Sequence, residues 1–325
     1  MSKRLFKMLS RKSAGSNGSI GIWIQNDGVA MARVVRQGGT PRLTACEFRP
    51  VPIGAEPAFV LRALISSLVP EAGTCNYVLA PDEYQTLLVD TPDVSPSEMR
   101  EAVRWKIHDL IDMPLSDATV DVFDIPVQIN HGEEKPRSLC VVVSQNSVIE
   151  QKVALLTRCG FKLAAIDIAE MALRNFASLL PQDREGQLIL HIEEDYSLVV
   201  ITKASTIYLS RRIAIGAQSL NAAQVKNDDG EEKARLLEMM GEEIYRSLEY
   251  CESRFQGMAP SSIGLTPAAM RIPGLSSGIA DGSALPVHTL ELESLLPGTG
   301  KIPLERQAAC LMAAGAALRQ EQTTL

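Results

Sequence analysis

The sequence predicts an α/β protein of two lobes, with an α+β subdomain inserted into the first. Apolar runs separated by turn residues form a β-meander near residues 20–70, and a second meander followed by a helix lies near 187–255. The stretch between them is rich in predicted strands and carries its own helices. With 325 residues, the chain is long enough to bury two hydrophobic cores. We divide it into six segments: 1–19, 20–75, 76–160, 161–186, 187–303 and 304–325.

The basic start is the first segment. Its first twelve residues, MSKRLFKMLSRK, hold five basic residues and no acidic one, and a linker of small residues follows. If the start is helical, apolar and basic side chains fall on separate arcs, as in helices that lie on anionic membrane surfaces. The alternative is a basic tail without regular structure, because so short a helix is marginal alone. The residues expected at a membrane surface are Lys3, Arg4, Leu5, Phe6, Lys7, Leu9 and Arg11.

The first lobe, 20–75, opens with two β-runs joined by Asn26, Asp27 and Gly28. This turn predicts a hairpin, because these residue types tolerate positive φ. A third strand, LTACEFRPVPI, and a helix, EPAFVLRALISSLV, complete the lobe.

The inserted subdomain, 76–160, contains an amphipathic helix that begins at a capping box, Ser95-Pro96-Ser97-Glu98. Trp105 lies about 200° around the helix from Val103, so it points away from the apolar face. Either it packs under the neighbouring lobe or a loop, or it lines a partner groove with Arg104 alongside to pair with the partner. The apolar face is predicted to contain Met99, Val103, Ile107, Leu110 and Ile111.

The remaining segments return to the first lobe and build the second. Segment 161–186 is an apolar crossing segment, and 187–303 carries a meander and a long helix near 231–256. A helix of small residues, QAACLMAAGAALR, lies in 304–325.

Composition excludes several classes of function. The formal charge of −7 does not suggest a nucleic-acid partner. No apolar run reaches the ~20 residues that cross a bilayer, and no secretory signal follows the basic start. Six scattered cysteines and four isolated histidines show no metal-ligand spacing, so we expect reduced thiols and no metal site.

Two meander-and-helix halves with an insertion resemble the actin-like fold of the FtsA and PilM type. EMREAVRWKIHDLIDMPL is similar to a region of the PilM family of type IV pilus assembly proteins, in which a basic-aromatic pair precedes an acidic helix ending in a proline turn. LSRRIAIGAQSL and GEEIYRSLEYCESRF resemble that family's second phosphate hairpin and the helix behind it. The resemblance runs from about Ile20 to Leu318 and is strongest to the MshI branch, which serves the mannose-sensitive haemagglutinin pilus.

Actin-like ATPases hold MgATP between two β-hairpins, with an aspartate in each first strand positioning magnesium-bound water. The resemblance implies Asp, an apolar residue and Gly in the first hairpin, where this sequence has Trp23, Ile24 and Gln25. In the second hairpin the corresponding triplet is His191, Ile192 and Glu193, and the adenosine-binding glycine pair is represented only by Gly274-Leu275. The two phosphate hairpins and the adenosine-binding segment therefore all depart from the family pattern.

Two replacements remain open. Asp27 can take the place of the lost aspartate, and Glu193, Glu194 and Asp195 can form a cation site; alternatively, these are solvated turn residues. The residues of the degenerate nucleotide site are Asn26, Asp27, Gly28, Glu193, Glu194, Gly216 and Gly274.

The resemblance therefore implies a cytoplasmic adaptor, peripherally associated with the inner membrane, with no catalytic residues and no cofactor. Its partner is the cytoplasmic tail of a PilN-like inner-membrane protein in a type IV pilus assembly platform, bound between the inserted subdomain and the first lobe. The alternative is an ATP-binding ATPase that drives pilus assembly, with ATP and Mg as ligands.

Overall fold

The computed structural model describes residues 18–68, 74–95, 97–126, 129–130, 133–134, 138–226 and 230–320. Its strands are β1 Ser19–Ile24, β2 Gly28–Gln37, β3 Thr40–Pro50, β4 Thr74–Val78, β5 Gln85–Asp90, β6 Ala118–Ile125, β7 Ile129–Asn130, β8 Glu133–Glu134, β9 Ser138–Gln145, β10 Lys162–Asp167, β11 Gln187–Ile192, β12 Ser197–Lys203, β13 Thr206–Ile213, β14 Ile263–Leu265 and β15 Val287–Thr289. Its α-helices are α1 Pro57–Leu68, α2 Met99–Lys106, α3 Asn146–Arg158, α4 Ala169–Ala177, α5 Ala217–Lys226, α6 Glu231–Arg254, α7 Pro267–Met270, α8 Leu275–Ser283, α9 Leu292–Leu295 and α10 Leu304–Ala317.

The first lobe is a five-stranded mixed sheet in the order β10-β4-β1-β2-β3. Strands β10, β4 and β1 run parallel, whereas β1, β2 and β3 form the antiparallel meander predicted from the Asn26-Asp27-Gly28 turn. Helices α1 and α3 cover one face, where Leu61 and Leu156 are fully buried. On the other face lies α10. Gly21 allows this contact, because a Cβ there would lie 1.7 Å from the carbonyl oxygen of Ala313.

The second lobe repeats this arrangement with the sheet β13-β12-β11-β14-β15. Strands β11, β12 and β13 form its meander, and β14 pairs parallel with β11. The long helix α6 packs on its outer face through Met240, Ile244, Leu248 and Cys251. The predicted duplication of meander and helix is therefore present.

A single hydrophobic cluster joins the two lobes. It combines Trp23 of the first sheet and Val200 of the second with Phe176 of α4 and Leu311 of α10. Helices α4 and α10 contact each other directly, and Gly315 of α10 fits against Ala172 of α4. The lobes thus share a core rather than meeting only at their surfaces.

The inserted subdomain has its own three-stranded sheet, β5-β9-β6, with α2 on one face. The boundary at residue 76 falls inside β4, which belongs to the first-lobe sheet, and α3 packs against α1 and β10 of that lobe. The separate sheet therefore occupies only residues 85–145. The elements on either side of it, β4 and α3, bury their apolar faces in the first lobe.

Helix α2 differs from its predicted extent. It begins at Met99 rather than within Ser95–Glu98, since Glu98 turns back and accepts a 2.6 Å hydrogen bond from Ser95 Oγ. This hydrogen bond lowers the pKa of Glu98. The helix ends at Lys106 and a 3-10 turn, His108–Leu110, follows. Leu110 was predicted to be buried but is 53% exposed, because the 3.6-residue spacing no longer applies beyond Ile107.

Within the described residues, every helix is too short or too polar to cross a bilayer.

Candidate functional site

The first hairpin, between β1 and β2, is closed by a 2.8 Å hydrogen bond from the Gln25 amide to the Gly28 carbonyl. Trp23 is 5% exposed and belongs to the core shared by the lobes. The Gln25 side chain donates to the Ala309 carbonyl of α10 at 2.8 Å. At both positions the side chain therefore serves internal packing.

The turn itself exposes Asn26 and Asp27 to solvent. Gly28 is buried, and a Cβ at this position would lie 2.4 Å from the Phe48 ring. Glycine is therefore required at position 28 because β3 approaches it closely. No bound ligand is needed to explain this glycine.

The second hairpin, between β11 and β12, carries a buried polar chain. His191 is 1% exposed, and its Nε2 lies 2.5 Å from Glu193 Oε1. Its Nδ1 lies 3.0 Å from the hydroxyl oxygen of the fully buried Thr266, which follows β14. These contacts tie the hairpin to the segment where the resemblance places the adenosine-binding glycine pair. Glu194 and Asp195 are exposed in the turn.

The N-terminus of α5 lies directly against this turn. The amides of Ala217 and Gln218 donate to the carbonyls of Glu193 and Glu194 at 2.8 and 2.9 Å. A Cβ on Gly216 would lie 2.3 Å from the Glu194 carbonyl oxygen. Helix N-terminal amides bind phosphate when they are free to point at it. Here these amides are paired with the hairpin backbone.

Gly274 caps the N-terminus of α8 with φ of +80°, a conformation that favours glycine. Apart from its own chain neighbours, no atom lies within 4 Å of where its Cβ would be. It faces open space, and its glycine identity is explained by the backbone conformation at the start of the helix.

These residues do not fit MgATP. A tryptophan side chain offers no oxygen ligand for magnesium, and the turn carboxylates Glu193, Glu194 and Asp195 repel a polyphosphate. Within the described part of the chain, no group of three or more His, Cys, Asp or Glu side chains is arranged to hold a metal ion.

A polar cluster joins the lobes beside the second hairpin; we call Tyr84, Glu170, Tyr196 and Arg212 the bridging cluster. Tyr84 and Glu170 are buried, Tyr196 is half-buried and Arg212 is exposed. Glu170, in the first turn of α4, is 1% exposed and accepts a 2.6 Å hydrogen bond from the Tyr84 hydroxyl. The Arg212 guanidinium lies 5.0 Å from the ring centre of Tyr84 and 5.5 Å from that of Tyr196. Arg212 also donates to the Pro81 carbonyl at 2.9 Å. The cluster thus connects the first lobe, the inserted segment and the second lobe.

Burial and the nearby Glu170 carboxylate raise the pKa of Tyr84 well above its ordinary value. Burial likewise raises the pKa of Tyr196. The phenols therefore stay neutral and act as hydrogen-bond and cation-π partners. Such contacts are worth more in a desolvated site than at the surface.

Sequence reasoning missed the bridging cluster, although one signal for it exists. Arg211 and Arg212 are adjacent on β13, and neighbouring residues of a strand point to opposite faces. Arg211 pairs with Glu243 of α6 at 3.4 Å, so Arg212 points to the other side, into the cluster. Glu170, a lone acidic residue in an apolar helix, is the second signal.

The inserted subdomain exposes Trp105, which is 70% accessible. The expectation that Trp105 points away from the subdomain core is confirmed, and it is not packed under the neighbouring lobe or a loop of the described chain. Arg104 was predicted to face the partner, but its side chain points into the subdomain. Its guanidinium donates to the carbonyls of Ala118, at 3.0 Å, and Leu115. Arg104 therefore fixes α2 to the start of β6, and Trp105 is the side chain left facing outward.

The seven residues predicted to meet a membrane surface, Lys3 to Arg11, lie outside the described residues.

Comparison with known proteins identifies the fold. No family model and no curated protein matches the sequence. The PilM–PilN type IV pilus biogenesis complex contains a similar chain, with 19% identity, a TM-score of 0.71, and coverage of 94% of this chain and 98% of that one. A protein of unknown function with an actin-like ATPase fold from Bacteroides thetaiotaomicron matches with 7% identity and a TM-score of 0.50, covering 91% and 96%. The cytoplasmic domain of EpsL, an inner-membrane component of the type II secretion system of Vibrio cholerae, matches with 11% identity and a TM-score of 0.47, covering 93% and 96%.

The chain therefore has the actin-like ATPase fold, in the two-lobed form with an inserted subdomain.

Proposed function

We propose that this protein is a scaffold of a type IV pilus assembly platform, acting on the cytoplasmic side of the inner membrane. Its partner is the cytoplasmic tail of a PilN-like inner-membrane protein. The observation that carries the proposal is the similarity to the PilM–PilN complex, which extends over nearly the whole of both chains. The sequence blocks described above favour the MshI branch and a mannose-sensitive haemagglutinin type of pilus.

Trp105 is the proposed anchor for the partner's tail. Its backbone is held by the buried Met99 and Val103 on the opposite face of α2 and by the two hydrogen bonds of Arg104. A large aromatic side chain held on a fixed helix loses little conformational entropy on binding, and aromatic residues dominate the affinity of many protein interfaces. The rigid mounting of Trp105 therefore supports a binding role.

We also propose that the protein is a pseudo-ATPase whose lobes are held together without a nucleotide. The shared hydrophobic core and the bridging cluster supply contacts between the lobes. The amides at the N-terminus of α5, which would otherwise be free to bind a phosphate, donate to the carbonyls of the second hairpin. The role of the fold is then to present a rigid surface to its partner.

The test is the affinity of a PilN-like cytoplasmic peptide for the parent protein and for Trp105→Ala. We expect the variant to lose about 2 kcal/mol of binding free energy. Its melting temperature should stay near that of the parent, because the side chain is 70% exposed.

The matched control is Tyr245→Ala, which removes a 54% exposed aromatic side chain from α6 in the second lobe. This variant should bind the peptide as the parent does. If both variants lose the same binding free energy, or if Trp105→Ala binds the peptide as the parent does, the partner's tail does not bind at Trp105.

A further inference from the structure

One edge of the first-lobe sheet is basic. Strands β1, β3, β4 and β10 all begin at this edge, and β2 ends there, as the register pairs Gln37 with Thr40 and Lys162 with Thr74. Helix α10 also ends there, since Arg36 donates to the Leu318 carbonyl at 3.1 Å. We call this surface the basic edge. Its exposed basic side chains are Arg36, Arg42, Arg158 and Lys162.

The charge of the basic edge is uncompensated in the described residues. None of its four exposed basic side chains forms an ion pair there. Arg36 donates to neutral acceptors, the carbonyls of Gly39 and Leu318 and the side-chain amide oxygen of Gln320. The described residues of this edge, 18–20, 33–44, 74–75, 157–163 and 317–320, include no Asp or Glu. The nearby Arg319 forms an ion pair with Asp167 at 3.0 Å, so its charge does not add to that of the basic edge.

The basic edge is broad and shallow rather than concave. Lys162 lies on β10 and Arg42 on β3, at opposite sides of a five-stranded sheet. With adjacent strands about 4.8 Å apart, these two positions are separated by roughly 19 Å. Charges spread over this width suit an extended anionic surface better than a single small ligand.

The chain preceding this edge has the same charge. The described chain starts at Gly18, next to Val34 and Val35 at the end of β2. Only residues 13–17 separate Gly18 from the basic first twelve residues, in which Leu5, Phe6, Met8 and Leu9 alternate with basic residues. Apolar residues among basic ones suit a lipid bilayer, where they enter the acyl boundary, better than a nucleic acid.

We infer that the basic edge of the first lobe docks on an anionic phospholipid bilayer. This inference rests on the peripheral membrane association proposed above, and it assigns a face of the fold to that association. The net charge of −7 does not oppose it, because charges more than about 10 Å from the lipid are screened at physiological salt.

The test is flotation of the full-length protein with two kinds of vesicle, phosphatidylcholine alone and phosphatidylcholine mixed with phosphatidylglycerol. The parent should float only with the mixed vesicles, and less so at higher salt. Arg42→Glu combined with Lys162→Glu should reduce the partition coefficient by roughly 30-fold or more, since each basic residue near anionic lipid contributes about a fivefold effect.

The control is Lys106→Glu combined with Arg271→Glu, which makes the same charge change on α2 and beyond α7. It should float as the parent does. The inference is overturned if the basic-edge variant floats like the parent, if both variants lose binding equally, or if the parent binds an oligonucleotide in preference to the mixed vesicles.

Each variant is also tested for binding of the PilN-like peptide. Loss of flotation with intact peptide binding supports the lipid-docking face. If the parent floats with the mixed vesicles but does not bind the peptide, the proposed function is contradicted, and the lipid-docking face is still supported.

Discussion

At the scale of single residues, Glu170 is a buried acidic side chain in the first turn of α4. A carboxylate that is 1% exposed is costly to bury unless it is hydrogen-bonded, and Tyr84 and Ser210 supply hydrogen bonds at 2.6 and 3.4 Å. The positive charge of Arg212 lies 5.0 Å from the centre of the Tyr84 ring. Glu170 thus links the lobes through partners that come from different segments of the chain.

The first prediction concerns Tyr84→Phe. Near neutral pH the variant should lose about 1.5–3 kcal/mol of unfolding free energy, because it removes a hydrogen bond to a buried carboxylate. The pKa of Tyr84 is raised in the folded protein, so its contribution is fully present below the unfolded value of about 10 and declines as the pH rises above that value. Above that pH, the parent's stability should fall more steeply than the variant's, by up to about 1.4 kcal/mol per pH unit.

The measurement is urea unfolding of both proteins at a series of pH values from 8 to 11. Parallel curves for parent and variant would show that Tyr84 ionises equally in the folded and unfolded states. The Tyr84–Glu170 pair would then not be desolvated in the folded protein.

Residue-level prediction from sequence succeeded where helical geometry alone decides. The outward direction of Trp105 follows from 100° per residue, and the structure confirms it. The contacts of Arg104 could not be foreseen in this way, because its acceptors lie 11 and 14 residues further along the chain. Long polar side chains choose partners that only the tertiary fold brings near.

At the scale of elements, the contact of α10 with β1 sets the geometry of the first lobe. Gly21 and the small residues of α10 bring the helix backbone against the strand, and Ala316 accepts a 2.8 Å hydrogen bond from Asn76 of β4. Gln25 reaches the same helix at its other end. The alanine-rich sequence of α10 is therefore explained by close packing on the sheet.

The second prediction compares two glycine substitutions. Gly21→Ala should destabilise the protein by about 3 kcal/mol or more, because the new methyl group would collide with backbone atoms of Ala313 that cannot move aside. Gly241→Ala, within α6 and with open space around it, should stabilise the protein by up to about 1 kcal/mol.

Denaturant unfolding of the two variants measures both effects. A small loss for Gly21→Ala would show that α10 can shift away from β1. The helix would then be a loosely attached element rather than part of the lobe's core.

Element boundaries were predicted less well than the elements themselves. The meanders and the long helix α6 follow from periodicity and turn residues, which are local signals. The end of the first lobe was misplaced because β4 and β5 are both apolar strands, and their assignment to different sheets depends on non-local pairing. Helix α2 was predicted too long because its apolar spacing continues past Ile107, where the backbone leaves the helix.

At the scale of the whole molecule, the hydrophobic cluster around α4 and α10 and the bridging cluster both join the two lobes. In the actin-like ATPases that the sequence resembles, MgATP lies between the lobes. Here Gln25 contacts α10, His191 contacts Glu193, and the α5 amides are paired with the second hairpin, whereas the turn side chains Asn26, Asp27, Glu194 and Asp195 are exposed. The degenerate nucleotide motifs remain a prediction from the sequence, and the bridging cluster was not predicted, since its residues lie outside those motifs.

The central claim is that this actin-like fold holds its lobes together without a nucleotide, and the most direct test is its melting temperature with and without millimolar MgATP. A ligand at a hundred times its dissociation constant contributes about 2.7 kcal/mol to stability, which raises the melting temperature measurably. We expect no shift. A clear rise that is abolished by Asp27→Lys or Glu193→Lys would contradict the claim and assign a nucleotide site to the two hairpins.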